Sequence, residues 1–413
     1  MPIVVGTALA CGAAVALVVL LTGGGVSLPA LPPKPEVRVP SRNTPSSPPW
    51  GFTGSGWTDL CYLPVPADAH PLRSVPDSQP CPSGSQRFTG LTQIALTAGA
   101  GADVDRLGTT WGTIQPLPPA EAAARGEPRF RWAPLMRRYH AILRDGIRPV
   151  VVAYGTPAWA RIPGWERPGM CGLPAGGCAF PPAPRHLPAW RAFVRGLMTH
   201  MPQMRALEVW NEPNSARFFA PHPEPALYAR MLRAVDEAAR QVHFERPIIT
   251  GGLAPDSPVN AGKMLPAEFL TRVYEIAGQD AFDGIGAHPY PDGPPWTANM
   301  TANLDQLRSV SARFGDRSKP IWITEVGLGG TPSGAGTFNV PLDRQGPILA
   351  RMYRAVQGTS VRSFIIFALN DTGIPRNRFG VYGVLTPTLQ PKPAYCYLAE
   401  QLGQTHPCPP GAR

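Results

Sequence analysis

The stretch Leu207-Glu208-Val209-Trp210-Asn211-Glu212-Pro213-Asn214 and its later counterpart Pro320-Ile321-Trp322-Ile323-Thr324-Glu325-Val326-Gly327 share one plan, a short apolar run that ends near a glutamate. Such runs of β-branched and aromatic residues read as parallel strands buried on both faces. In an α/β barrel the C-terminal ends of these strands open onto the catalytic face, so Glu212 and Glu325 are expected to look out from one mouth. A single strand-end glutamate can equally be a structural carboxylate. Two in matching contexts point to chemistry that needs a pair. Cleaving a glycosidic bond requires a proton on the leaving oxygen and an anion beneath the developing oxocarbenium carbon. Mutual repulsion in one pocket keeps one carboxyl neutral beside its ionised partner.

Working outward, further strands are expected at residues 50–53, 103–108, 148–154, 206–212, 247–252, 282–288, 320–325 and 361–369. Between them, helical periodicity appears at 132–145, 189–201, 225–243, 266–277, 302–314 and 343–357, several of these opening on proline or a polar cap. Strand and helix in alternation predict a single (β/α)8 TIM barrel over residues 50–405, followed by a tail at 406–413. The 43 glycines and 53 prolines lie between the apolar runs rather than in one tract, as shaped loops require.

Residues 3–21 carry no charge and are almost wholly apolar. Residues 1–27 are therefore expected to be a signal peptide or an N-terminal membrane anchor. Gly25 and Ser27 suit cleavage, while the missing Lys or Arg before the run suits retention. Either reading places the remainder outside the cytoplasm, secreted or membrane-attached through residues 3–21. A Pro/Ser-rich linker is expected at 28–49. Six cysteines lie beyond Cys11, namely Cys61, Cys81, Cys171, Cys178, Cys396 and Cys408. In an exported chain an even set reads as disulfides, with 15 possible connectivities. Nearest-neighbour pairing is the simplest of them. No CxxC or HExxH spacing supports a metal site, and none is expected. The net charge of +10 is spread over helix faces, as at Arg230, Arg233 and Arg240, without a basic block interleaved with aromatics. Nucleic acid is not an expected partner.

The motifs Val209-Trp210-Asn211-Glu212-Pro213-Asn214, Gly286-Ala287-His288-Pro289-Tyr290 and Trp322-Ile323-Thr324-Glu325-Val326-Gly327, in that order, resemble those of clan A glycoside hydrolases. The likeness is to family 39 β-xylosidase relatives and family 5 cellulase-like enzymes. It extends to Arg106 through Trp111, to Tyr154 through Trp159 and to Lys392-Pro393-Ala394-Tyr395. The resemblance implies a retaining β-glycosidase that hydrolyses an extracellular oligo- or polysaccharide as a monomer without cofactor. It implies Glu212 as acid/base and Glu325 as nucleophile, Asn211 on the sugar 2-hydroxyl and Tyr290 donating to Glu325. His288 and Arg106 would complete the polar floor, although a strand-end histidine and a barrel ion pair are their plain alternatives. Trp111, Tyr154 and Trp159 are candidate sugar platforms, or else core. Trp132, Trp190 and Trp322 read as packing residues. Phe367 stands where many relatives carry Trp, and Leu328 where another Trp is common. A noncatalytic glycan-binding protein on a degenerate barrel is the alternative from another class.

Overall fold

A computed structural model of the chain describes residues 47–53, 59–62, 72–75, 86–88, 90–164, 179–255, 262, 264–372, 378–405 and 408. Eight parallel strands form its sheet: β1 (Trp50–Thr53), β2 (Val104–Thr110), β3 (Arg148–Tyr154), β4 (Ala206–Val209), β5 (Ile248–Thr250), β6 (Ile285–Ala287), β7 (Ile321–Val326) and β8 (Val361–Ile366). They pair in the order β5-β4-β3-β2-β1-β8-β7-β6. Single bridges from Ile249 to Gly284 and from Leu253 to Ala287 bring β5 against β6. The result is the expected (β/α)8 barrel, nearly closed.

Helices α1 (Gly90–Gly99), α2 (Ala133–Arg144), α3 (Leu187–His200), α4 (Pro225–Val242), α5 (Pro266–Ala277), α6 (Trp296–Arg313), α7 (Leu342–Val356) and α8 (Pro393–Gln401) cover the outside. Proline opens α4, α5 and α8 at the position where its missing N–H costs nothing. α6 begins six residues before its expected start, at Trp296. The first βα connection contains three short antiparallel strands, Asp59–Tyr62, Leu72–Val75 and Gln86–Phe88, where an irregular loop was expected.

The two-residue period of the strands sorts the barrel interior into layers. Val104, Val150, Ala206, Ile249, Trp322 and Ile365 form a separate apolar cluster, one side chain from each of six strands. Two residues further along three of them come Arg106, Glu208 and Thr324, all buried. The floor is thus hydrocarbon and the layer above it is charged. The larger core lies between sheet and helices, where Trp190 is fully buried. Trp322, also buried, packs within the barrel as a strand residue should.

Cys396 and Cys408 are joined, with Cα atoms 5.7 Å apart, which ties α8 to the chain end as nearest-neighbour pairing predicts. The pairings Cys61–Cys81 and Cys171–Cys178 lie outside the described residues, as do the apolar segment 3–21 and nearly all of the linker and tail. Among the described residues no helix is long and apolar enough to cross a membrane. Replacing Cys396 and Cys408 together by Ala should lower unfolding stability by about 2–3 kcal/mol, the expected scale for a short closed loop. Denaturant titration of the double variant against the parent checks this, and an unchanged midpoint would remove the bond's structural role.

Candidate active site

The site grows from the places where strands stop being regular. β4 ends at Val209, whose carbonyl accepts a hydrogen bond from Tyr228 Oη of α4 at 2.8 Å instead of continuing the ladder. Trp210 and Glu212 then adopt positive φ, 75° and 40°. Left-handed backbone at two bulky residues is costly and persists only where the surroundings hold it. Trp210 is fully buried, with its Nε1 donating to the Phe218 carbonyl at 2.5 Å. Asn214 pins the same loop to the next one, accepting from Ala254 N and donating to Ala254 O, both at 2.9 Å. Glu212 therefore lies three residues past the strand, where strand continuation to residue 212 was expected. Glu325 lies inside β7, next to its last residue.

An oxygen of Glu212, one of Glu325 and a ring nitrogen of His288 all lie within 4.8 Å of one another. The side chains are 14% and 11% exposed for Glu212 and Glu325, and His288 is wholly enclosed. Tyr290 Oη donates to Glu325 Oε2 at 2.8 Å, and Arg106 donates from Nη1 to Glu325 Oε1. Asn211 Oδ1 accepts from Arg106 Nη2 at 2.7 Å. Since a guanidinium can only donate, this contact turns the amide nitrogen of Asn211 away from Arg106.

Arg106 itself is held by Glu208, with Nε to Oε2 at 2.7 Å and Nη2 to Oε1 at 3.0 Å. Burial alone would favour a neutral guanidine, but the charges of Glu208 and Glu325 outweigh it and hold Arg106 above its ordinary range. Glu208 also accepts from Gly252 N at 2.8 Å and from Thr324 Oγ1 at 3.0 Å. Because the Thr324 hydroxyl donates to Glu208, it accepts from His288 Nε2 at 3.1 Å, so that nitrogen carries a hydrogen. His288 Nδ1 faces Glu212 Oε1 at 3.0 Å and Glu325 Oε2 at 3.6 Å. One proton lies between Nδ1 and Glu212, on the ring or on the carboxyl, so that pair is neutral overall. Gly252 is needed for this arrangement, since a Cβ there would come within 2.1 Å of His288 Nε2.

The sequence reading missed Glu208 and Tyr382. A carboxylate two residues past Ala206 in a buried strand has to be paired, and that was its signal. Tyr382, buried beside Tyr290 with ring centroids 6.2 Å apart, has no motif around it. Phe367 stands near both tyrosines, 6.3 Å from Tyr290 and 6.5 Å from Tyr382, at the end of β8 as expected of a residue in the position of Trp. Trp111 requires a correction as a sugar platform. A short helix, Trp111–Ile114, turns its ring into the core against Trp159, Trp190 and Phe193, and its Nε1 donates to Gln115 Oε1 at 2.9 Å. Trp159, half-buried, packs edge-on against Trp111 and His186 and donates to the Gln115 carbonyl, which makes it a packing residue too. Tyr154, half-buried at the end of β3, sets its ring edge against Trp210 and lines a neighbouring pocket.

Burial raises the Tyr290 phenol well above its ordinary range, and the negative charge of Glu325 adds to this, so Tyr290 remains a donor across the accessible pH range. Two variants test the frame. Tyr290→Phe should lower kcat about 10- to 100-fold, the scale of one charge-assisted hydrogen bond, as steady-state kinetics would show. Glu208→Gln leaves Arg106 with one anion fewer in a closed site and should cost about 3–5 kcal/mol in denaturant unfolding. A loss under about 1 kcal/mol would mean that Glu208 is not the anchor of Arg106.

No protein-family model and no curated protein matches the chain. Solved structures do share its fold. The GH39 enzyme from Xanthomonas axonopodis pv. citri is 16% identical with a TM-score of 0.55, the alignment covering 75% of this chain and 62% of that one. A monomeric β-xylosidase from Caulobacter crescentus CB15 is 17% identical with a TM-score of 0.54, over 75% of this chain and 64% of that one. The β-glycosidase BGL167 is 17% identical with a TM-score of 0.55, over 87% and 97%. The chain spans less than two thirds of the length of the first two. The fold is thus one that GH39 enzymes and β-glycosidases share, in keeping with the clan A resemblance of the motifs.

Proposed function

We propose that this protein is a retaining β-glycosidase that hydrolyses an extracellular oligo- or polysaccharide by double displacement. The observation that carries the reading is the carboxylate pair: oxygens of Glu212 and Glu325 within 4.8 Å on one barrel mouth, each tied to a different donor. Retention needs carboxyl groups about 5–5.5 Å apart, whereas inversion needs room for a water and a wider gap. Glu325, oriented by Arg106 and Tyr290, attacks the anomeric carbon, while the proton held between Glu212 and His288 goes to the leaving oxygen. Water then gives that proton back to Glu212 as it displaces the sugar. The Asn211 amide, turned outward by Arg106, is placed to donate to the sugar 2-hydroxyl.

Charge supports the same reading. Arg106 offsets one of the two anions Glu208 and Glu325, the Glu212–His288 pair is neutral, and Tyr290 is uncharged. The site therefore carries about one net negative charge, which stabilises an oxocarbenium-like transition state. No cofactor enters these steps. Export, with a segment at 3–21 cleaved or kept as an anchor, belongs to the same proposal. The test is a panel of aryl β-glycosides and polysaccharides with the first product followed by proton NMR. The β-anomer is expected to appear first. An α-anomer at first would replace double displacement by inversion, and binding without cleavage would favour a glycan-binding role.

A further inference from the structure

Resting on the glycosidase reading, we propose that a second pocket, beside the carboxylates, holds an anionic sugar unit of the substrate, its carboxylate or sulfate ester set against Arg161. The pocket has a volume of about 360 Å³ and sits at the ends of β2 and β3, walled by Thr110, Tyr154, Thr156, Arg161 and Phe180 among others. That volume falls within the range of small-ligand sites, about 300–1,000 Å³. It is next to the reaction centre. The Tyr154 ring meets the Trp210 ring at 5.3 Å, and Glu212 follows two residues later.

Three features select an anionic sugar. Thr156 is 1% exposed, yet its hydroxyl finds no hydrogen-bond partner in the protein. A buried hydroxyl of this kind is costly unless a ligand oxygen or nitrogen meets it. Arg161 is fixed on the wall, its Nε donating to the Thr156 carbonyl at 2.8 Å and its guanidinium 5.5 Å from the Phe180 ring centroid. A planar cation held in this way suits carboxylate and sulfate oxygens. None of the residues lining the pocket is acidic. Burial raises the Tyr154 phenol, while the charges of Arg217, Arg106 and Arg161 draw it down and Glu212 opposes them. Three guanidinium fields thus converge on this wall. Arg106 is already paired with Glu208 and Glu325, which leaves Arg161 and the exposed Arg217 as the cations facing a ligand. Tyr154 and Phe180 add aromatic surface for the apolar face of a ring. The net charge of +10 also favours the approach of an anionic polymer.

The experiment uses the Glu325→Ala protein and titration calorimetry with three matched oligosaccharides: glucose-terminated, glucuronate-terminated and 6-sulfoglucose-terminated. At least one anionic probe is expected to bind ten times more tightly than the neutral one or better, and the arm that does so names the anion. Arg161→Gln should remove the preference, Arg161→Lys should recover part of it, and Arg217→Gln should reduce it two- to threefold. Because Arg161 also holds the Thr156 carbonyl, the Lys and Arg217 variants decide the matter should Arg161→Gln fail to fold. Equal binding of all three probes, or a preference that survives loss of Arg161, overturns the inference. Wild-type turnover of neutral glycosides with no anionic preference overturns it while leaving the glycosidase reading intact. Arg161-dependent binding of an anionic probe by a protein that cleaves no glycoside sustains the ligand class and overturns the glycosidase reading.

Discussion

Glu325→Ala should abolish turnover of every glycoside, with kcat falling on the order of 10⁴-fold or more, the scale seen when a covalent nucleophile is removed. The side chain has no substitute. Glu208, the other carboxylate on Arg106, is wholly buried two residues inside β4 and engaged by Arg106, Gly252 and Thr324. Glu212 sits on the other side of the His288 nitrogen. The deletion also leaves Tyr290 and one arm of Arg106 without their acceptor, so stability must be measured beside activity. Glu325→Gln, which keeps the volume, provides the control. Activity above about 1% of wild type in both variants, with both folded, would falsify the assignment of Glu325 as nucleophile.

The resemblance of the motifs located both carboxylates and the tyrosine that serves one of them, because each sits in a run whose apolar spacing also sets the strand. Where the reading stopped short, the cause was local. The apolar run through Glu208 was taken as hydrophobic, although the two-residue period puts that carboxylate on the same face as Ala206, and hence inside the barrel with Arg106. Strand ends were overextended wherever the backbone leaves the sheet for the site: residues 210–212 by positive φ, and residues 367–369 beyond Ile366. Trp111 follows Thr110 at the catalytic end of β2, so its position in sequence suggested the mouth. The helical turn at Trp111–Ile114 sends it behind the strand instead, and no spacing rule reveals a four-residue helix. The strands of the first connection are equally short and mixed in character. Tyr382 reaches Tyr290 from a loop whose path depends on Lys392, buried and bonded to Gly330 O at 3.1 Å and Gly383 O at 2.8 Å. Such a long-range contact leaves no periodic trace.

Glu212→Ala should produce a different defect, and the difference assigns the roles. An aryl glycoside with a good leaving group needs little protonation, so formation of the glycosyl enzyme on Glu325 should survive. Its hydrolysis should stall, because no base remains to activate water. A burst of aryl alcohol followed by a slow steady state is the expected trace, with poor leaving groups losing both phases. The geometry adds a further consequence. His288 Nδ1, 3.0 Å from Glu212 and 3.6 Å from Glu325, loses its nearer carboxylate and keeps the farther one. Added azide needs no general base and should restore turnover, entering from the face that the leaving group vacated and yielding a β-glycosyl azide. In the Glu325→Ala enzyme the only open path for azide is the opposite face, so any rescue there should yield the α-azide. Finding the two anomers interchanged between the variants would exchange Glu212 and Glu325 in the mechanism while leaving the double displacement itself in place.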